Sequence, residues 1–166
     1  LFDIEYLFLQ MRAKSVGERS TIIMTAEDDG KTKVPVEIDL SKVAVTTEVG
    51  HSNEVVLTKD IKLVMGYPTL SDMAMPTDID TEVERIFVLI KRCVMEIHDG
   101  DQIHNRIDIS DKELDDFLEN MSTEMFEKLS AFFETMPKLK HVVKFTNPNT
   151  KVKNEVNIEG LQSFFE

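Results

Sequence analysis

Apolar and polar positions switch between helical and strand periods several times along the chain. Ile4, Leu7, Phe8 and Met11 recur at helical spacing on one face of a first helix, which Gly17 ends just after Arg12 and Lys14. Residues 21–25 and 34–40 then read as two strands. They are joined through Glu27-Asp28-Asp29-Gly30-Lys31, whose Asp-Gly pair suits a tight turn. Val34, Val36, Ile38 and Leu40 alternate toward a core, and Pro35 confines that strand to an edge. Residues 55–57 and 61–65 form a second strand pair around Thr58-Lys59-Asp60, before Gly66-Tyr67-Pro68 turns the chain away. In the loop 71–77, Met73 and Met75 beside Pro76 suit either an adaptable contact surface or a cover over the core edge.

Helical spacing returns at Thr81-Glu82-Val83-Glu84, a capping box. Behind it Ile79, Val83, Ile86, Ile90, Cys93 and Ile97 form a seam with Phe87 and Val94 beside it. The spacing predicts one continuous helix as far as His98-Asp99-Gly100-Asp101, whose short seam favours packing within the molecule over a coiled-coil partner. A second capping box, Ser110-Asp111-Lys112-Glu113, opens a helix with Leu114, Phe117, Leu118 and Met121 on one face. Ser122 caps the next, whose Met125, Phe126, Leu129, Phe132, Phe133 and Met136 make a wide apolar stripe. Pro137 stops it, because proline lacks the amide a helix needs and pushes Met136 out of helical dihedrals. Residues 142–146 and 152–158 form another hairpin around Asn147-Pro148-Asn149-Thr150, followed by a helical turn with Leu161, Phe164 and Phe165.

The last hairpin echoes the first, Val36-Glu37-Ile38-Asp39-Leu40 against Val156-Asn157-Ile158-Glu159-Gly160-Leu161. Either the two are related copies that pair in one sheet, or they share only the look of amphipathic strands. The expected fold is α+β, antiparallel β-hairpins packed against a set of amphipathic helices. It forms a single domain over 1–166, with a β-rich lobe at 18–66, a helical lobe at 79–137, and a hairpin plus terminal helix at 141–166.

Composition narrows the function classes. A chain of 166 residues, 42% hydrophobic and 30% charged, buries about two thirds of its unfolded surface and folds as an ordinary globular protein. No run of about 18 apolar residues is present, so no membrane span is expected. Acids outnumber bases 31 to 19, for a formal charge of −12, which argues against nucleic acid and favours basic protein surfaces as partners. The single cysteine, Cys93, cannot form an internal disulfide and sits on an apolar stripe as a core thiol. The first residue is Leu1, and a further N-terminal section is expected before it.

Candidate chemistry is sparse. His98, Asp99, Asp101 and His104 bring imidazole and carboxylate close in sequence, as a divalent-metal enzyme would need. They lack the spacing of a zincin motif or a calcium loop, so a polar interhelical loop is the competing reading. His51 and His141 stand alone, and Ser15 has no histidine near it in sequence. No glycine-rich phosphate loop, nucleophile elbow or cysteine pair occurs. No catalytic residue, metal or cofactor is assigned. Arg12 and Lys14 read either as a C-terminal cap complementing the helix dipole or as a docking surface for a carboxylate-bearing partner. Lys138, Lys140 and His141 read as solvated charges at a helix end or as a second contact patch.

Three stretches resemble the signature blocks of the T4-type bacteriophage baseplate hub family. They are Phe2-Asp3-Ile4-Glu5-Tyr6-Leu7-Phe8-Leu9-Gln10-Met11-Arg12-Ala13-Lys14-Ser15-Val16-Gly17-Glu18, Phe132-Phe133-Glu134-Thr135-Met136-Pro137-Lys138-Leu139-Lys140-His141, and Ile158-Glu159-Gly160-Leu161-Gln162-Ser163-Phe164-Phe165. His51-Ser52-Asn53 and Gly66-Tyr67-Pro68, between the blocks, are also similar to the family. The resemblance implies a non-enzymatic part in building the central hub of a contractile tail baseplate, as hub subunit or as an assembly chaperone absent from the virion. It implies other baseplate hub or tail proteins as partners, with a homo-oligomer left open. The place of action is then the host cytoplasm during assembly, or the virion baseplate. Many relatives carry cysteine pairs in the two hairpin turns, as in a zinc ribbon. Here the corresponding turns, 26–31 and 147–150, contain no cysteine, and zinc is not carried over.

Overall fold

In a computed structural model that describes residues 1–72 and 81–165, the chain runs α1 (Phe2–Val16), β1 (Arg19–Thr25), β2 (Lys33–Asp39), β3 (Ala44–Thr46), β4 (Glu54–Val56), β5 (Ile61–Met65), α2 (Glu82–Cys93), β6 (Val94–Asp99), β7 (Gln102–Asn105), α3 (Asp111–Glu119), α4 (Thr123–Thr135), β8 (Lys138–Thr146) and β9 (Lys153–Glu159). Short 3-10 turns lie at Leu40–Lys42, Arg106–Asp108 and Leu161–Phe164. The strands pair antiparallel throughout, and helix and strand are mixed, so the fold is α+β. Two compact units result, a central one of Leu1 and Glu48–Met136 and a terminal one of Phe2–Thr47 with Pro137–Glu166. No helix among the described residues is long and apolar enough to cross a membrane.

In the central unit the sheet runs in the order β4-β5-β6-β7. Both capping boxes form as the sequence dictates. The Thr81 and Ser110 hydroxyls accept from the amides of Glu84 and Glu113, whose carboxylates reach back to the amides of Thr81 and Ser110. Leu57, Leu63, Met65, Ile90, Cys93, Val94, Leu114, Leu118, Leu129 and Phe132 are buried together as its core. Ile79, Met73, Met75 and Pro76 lie outside the described residues.

The continuous helix expected through Ile97 is not what forms. α2 stops at Cys93 and the chain goes straight into β6. A register shift explains why the sequence misleads: Val64 pairs with Glu96 but the next residue, Met65, pairs with Val94, so Met95 is an extra residue bulged out of the ladder. In a regular strand Val94 and Ile97 would face opposite sides. The bulge turns both into the core, three residues apart, and so imitates helical spacing. Hydrogen bonding to β5 on one side and β7 on the other then satisfies the backbone as a helix would.

Two features of the terminal unit are ones that periodicity leaves open. The two similar hairpins do not pair in one sheet: β1-β2 stands as its own two-stranded sheet, and β8-β9 takes β3 as its third strand. Between them lie Leu9, Ala13, Ile22, Ile38, Leu40, Val43, Leu139, Val143, Ile158 and Phe164, all buried in one cluster. Secondly, α1 turns Leu9 and Ala13 inward, while Ile4, Leu7, Phe8 and Met11 point to solvent. Gly17 ends this helix as expected, with its amide on the Ala13 carbonyl at 3.1 Å and φ of 135°, a conformation that side chains disfavour.

The hairpins meet through their turns. Asn154, buried on β9, donates from Nδ2 to Asp28 at 2.8 Å and accepts from the Glu27 amide at 2.9 Å. Asn147, also buried, donates to Asp28 at 3.1 Å and to Asp29 at 3.1 Å, while its own carbonyl accepts from the Asn149 amide. Thr150 donates to Asp28 at 2.5 Å, and Asn149 donates to Thr32 at 3.0 Å. The two turns are built alike: Gly30 N–H reaches the Ala26 carbonyl and Lys151 N–H the Asn147 carbonyl, both at 2.9 Å. Gly30 and Lys151 each have φ of 64°.

These bonds set two expectations. Asn154→Ala removes a buried side chain and its hydrogen bonds to the Glu27 amide and the Asp28 carboxylate, both at the surface where water replaces the lost partner, and is expected to lower unfolding free energy by about 0.5–1.5 kcal/mol in urea titration. The second concerns acid. Hydrogen bonds from Thr150, Asn154 and Asn147 hold the Asp28 carboxyl below its ordinary range, and those from the Thr32 hydroxyl and the amides of Thr32 and Lys31 do the same for Asp29. A carboxyl whose pKa falls on folding stabilises the fold above its unfolded pKa of about 3.9, and that contribution drains away as pH drops through the folded value. Stability measured from about pH 6 down to about pH 3 is therefore expected to decline at the acid end, and less steeply for Asp29→Asn than for the unaltered chain.

Candidate functional site

Among the sequence candidates, the 98–104 stretch is not an interhelical loop but the β6-β7 hairpin, turning at Gly100 with φ of 59°. Its register decides the chemistry. Ile97 pairs with His104 and His98 with Ile103, so the two histidines face opposite sides of the sheet and share no coordination sphere. His98 is bonded through Nε2 to Glu96 at 2.8 Å on its own face. His104 instead lines a cleft of about 310 Å³ with Ile61, Ile97, Asp99, Asp108, Ile109, Glu113 and Phe117. Ser110, whose hydroxyl and amide both bond to Glu113, holds that carboxyl below its usual range. Among the described residues no three His, Cys, Asp or Glu side chains gather closely enough to hold a metal ion.

The paired turns 26–31 and 147–150 are where a zinc ribbon would place its ligands, and the residues present do not fit that metal. Structural zinc asks for four thiolate or imidazole donors in a tetrahedron. Here the facing groups are carboxylates, amides and hydroxyls, and the amide N–H groups of Asn147 and Asn154 point at the Asp28 carboxylate. Donor hydrogens of Asn147, Asn154 and Thr150 already face this carboxylate.

A site that sequence reasoning did not assemble lies in the central unit. His51 bonds through Nδ1 to the Thr135 hydroxyl and through Nε2 to the Tyr67 hydroxyl, both at 3.0 Å. Its ring stacks 5.8 Å from Tyr67 and lies tilted 5.2 Å from Phe132, and Phe132 in turn meets Phe133 edge-on at 5.1 Å. Three segments far apart in sequence are thereby fixed to one another. They are the Gly66-Tyr67-Pro68 turn, the His51-Ser52-Asn53 segment and the Phe132 end of α4. With both ring nitrogens engaged by hydroxyls, His51 acts as a bracket between loop and helix.

Of the candidate contact residues, Lys14 is exposed, but Arg12 is half-buried. The Arg12 guanidinium lies 5.8 Å from the Phe165 ring centre, with Nη1 buried and without a hydrogen-bond partner. On β8, Lys138 and Lys140 share one face and flank Glu159 at 3.6 and 3.2 Å. His141 falls on the opposite face, with Leu139 and Val143. Lys138 and Lys140 are thus brought together and His141 is set apart from them. Cys93 is buried, and desolvation, with the Asp72 charge adding to it, pushes its thiol up to about 12, which makes it inert as a nucleophile. Ser15 donates to the Met11 carbonyl within its own helix.

No curated protein and no solved structure matches the chain. The family described as T4 bacteriophage base plate protein does match, over residues 1–166, through both units and every element described above, and the chain belongs to that family.

Proposed function

We propose that the protein works through its surfaces, without catalysis, cofactor or nucleic acid, in assembling the central hub of a contractile-tail baseplate. Its partners on this reading are other hub or tail proteins. The observation that carries the proposal is family membership over the whole described chain. The side chains with chemical potential point the same way: Cys93 is buried, His51 is held by two hydroxyls, and His98 is tied to Glu96. Cations suited to meeting acidic partners lie at Lys14 and Arg12 on α1 and at Lys138 and Lys140 on β8; His141 contributes from the other face of that strand. Assembly takes place in the host cytoplasm, and a hub subunit then stays in the virion.

Capture of the tagged protein from infected cells, with crosslinking, is expected to recover baseplate or tail proteins joined through Lys14, Lys138 or Lys140. Recovery of none would sink the proposal. Because Arg12 also packs on Phe165, the informative charge reversals are Lys14→Glu and Lys138→Glu. Each is expected to weaken partner binding by about two- to fivefold while the circular-dichroism spectrum holds. Protein analysis of purified virions separates a resident hub subunit from an assembly chaperone that departs.

A further inference from the structure

We infer that the outer face of α1 joins two copies of this chain as an antiparallel helix pair. Ile4, Leu7, Phe8 and Met11 are 50, 60, 57 and 61% exposed, while the same helix buries only Leu9 and Ala13. Singly exposed apolar residues are ordinary. Four at positions i, i+3, i+4 and i+7 form a continuous stripe of the kind that another helix covers.

The charges around the stripe specify the occupant. Acids stand at its N-terminal end, Asp3 and Glu5, and bases at its C-terminal end, Arg12 and Lys14. At about 100° per residue, Asp3 and Lys14 fall within about 20° of each other on one flank, and Glu5 and Arg12 within about 20° on the other. When two copies pack antiparallel about a twofold axis, like flank meets like flank. Asp3 then faces Lys14 of the second copy, while Ile4 lies opposite Met11 and Leu7 and Phe8 each meet their own counterpart; Arg12, held against Phe165, lends its charge to the other flank from within its own copy. A parallel pair would set acid against acid, and a partner of uniform charge would be repelled by one end of the helix. The net charge of −12 opposes self-association only at long range, since charges farther apart than about 8 Å are screened at physiological salt.

The inference rests on reading the Arg12 and Lys14 end of α1 as a contact surface, and it names a second copy as what meets it. Acid at the start and base at the end of a helix also suit its dipole, but the dipole does not account for the apolar stripe between them. A charge exchange separates the two explanations. Light scattering and sedimentation of the purified protein, from about 1 µM to about 200 µM, are expected to show mass rising from 19.0 kDa toward twice that value. Phe8→Glu, at the centre, is expected to weaken the dimer at least about thirtyfold with helical circular dichroism unchanged. Asp3→Lys alone is expected to weaken it about fivefold or more, and adding Lys14→Asp to restore it. That double variant opposes the dipole at both ends, so its recovery cannot come from a better helix. A monomer at every concentration, a dimer indifferent to Phe8→Glu, or no rescue in the double variant would each overturn the antiparallel pair. A monomer that still captures tail proteins through Lys14 would remove the second copy and leave the contact surface standing.

Discussion

A two-stranded hairpin is not stable by itself in water, and the terminal unit contains one, β1-β2, with no third strand. Everything else in that unit answers this constraint. Ile22 and Ile38 on one face of the hairpin are covered by the cluster that includes Leu9, Leu139 and Phe164. At the open end, where apolar cover is thin, the Asp28 carboxylate collects donors from Asn147, Thr150 and Asn154 and ties the turn to its counterpart. Charged acceptors make stronger hydrogen bonds than neutral ones, and buried amides left unpaired are costly, so the clamp is favoured from both sides.

That clamp bears on the question of metal. Turn pairs of this shape can be held by a central ion that supplies all the attraction, with ligands that are otherwise unremarkable. In this chain the attraction is distributed over side chains from both turns, each serving as donor or acceptor to the other. The membership of the chain in a base plate family and the oxygen-and-amide chemistry of its turns are therefore independent facts. The second describes how this member holds its fold.

Much of the architecture was legible from local signals. Capping residues at Thr81, Ser110 and Ser122, the Pro137 stop, and the alternation in residues 34–40 each act over a few neighbours, and each is found where the pattern places it. What was hidden depended on distant partners. Val94 and Ile97 fit a helix until Leu63 and Met65 offer a strand edge and a bulge at Met95 preserves their common face. Ala44–Thr46 is too short to show a period and becomes strand only because residues 138–140 lie beside it. The α1 stripe was read correctly as a stripe, but periodicity cannot say whether a face meets the core or the solvent. The His51 bracket was out of reach for the same reason, since His51, Tyr67 and Thr135 become neighbours only on folding.

The division of the terminal unit between the two ends of the chain also fixes an order of events during synthesis. Residues 48–136 carry all the strands and helices of the central sheet, so that unit has its full complement of partners as soon as it leaves the ribosome. Asp28, by contrast, emerges more than a hundred residues before Asn147 and Asn154 exist. Until then the first hairpin has neither its clamp nor the part of its core that Leu139, Val143, Ile158 and Phe164 supply, and its apolar strands are at their most vulnerable to wrong pairing. Pro35, which denies one ladder hydrogen bond to any strand that approaches, stands in the segment that waits longest.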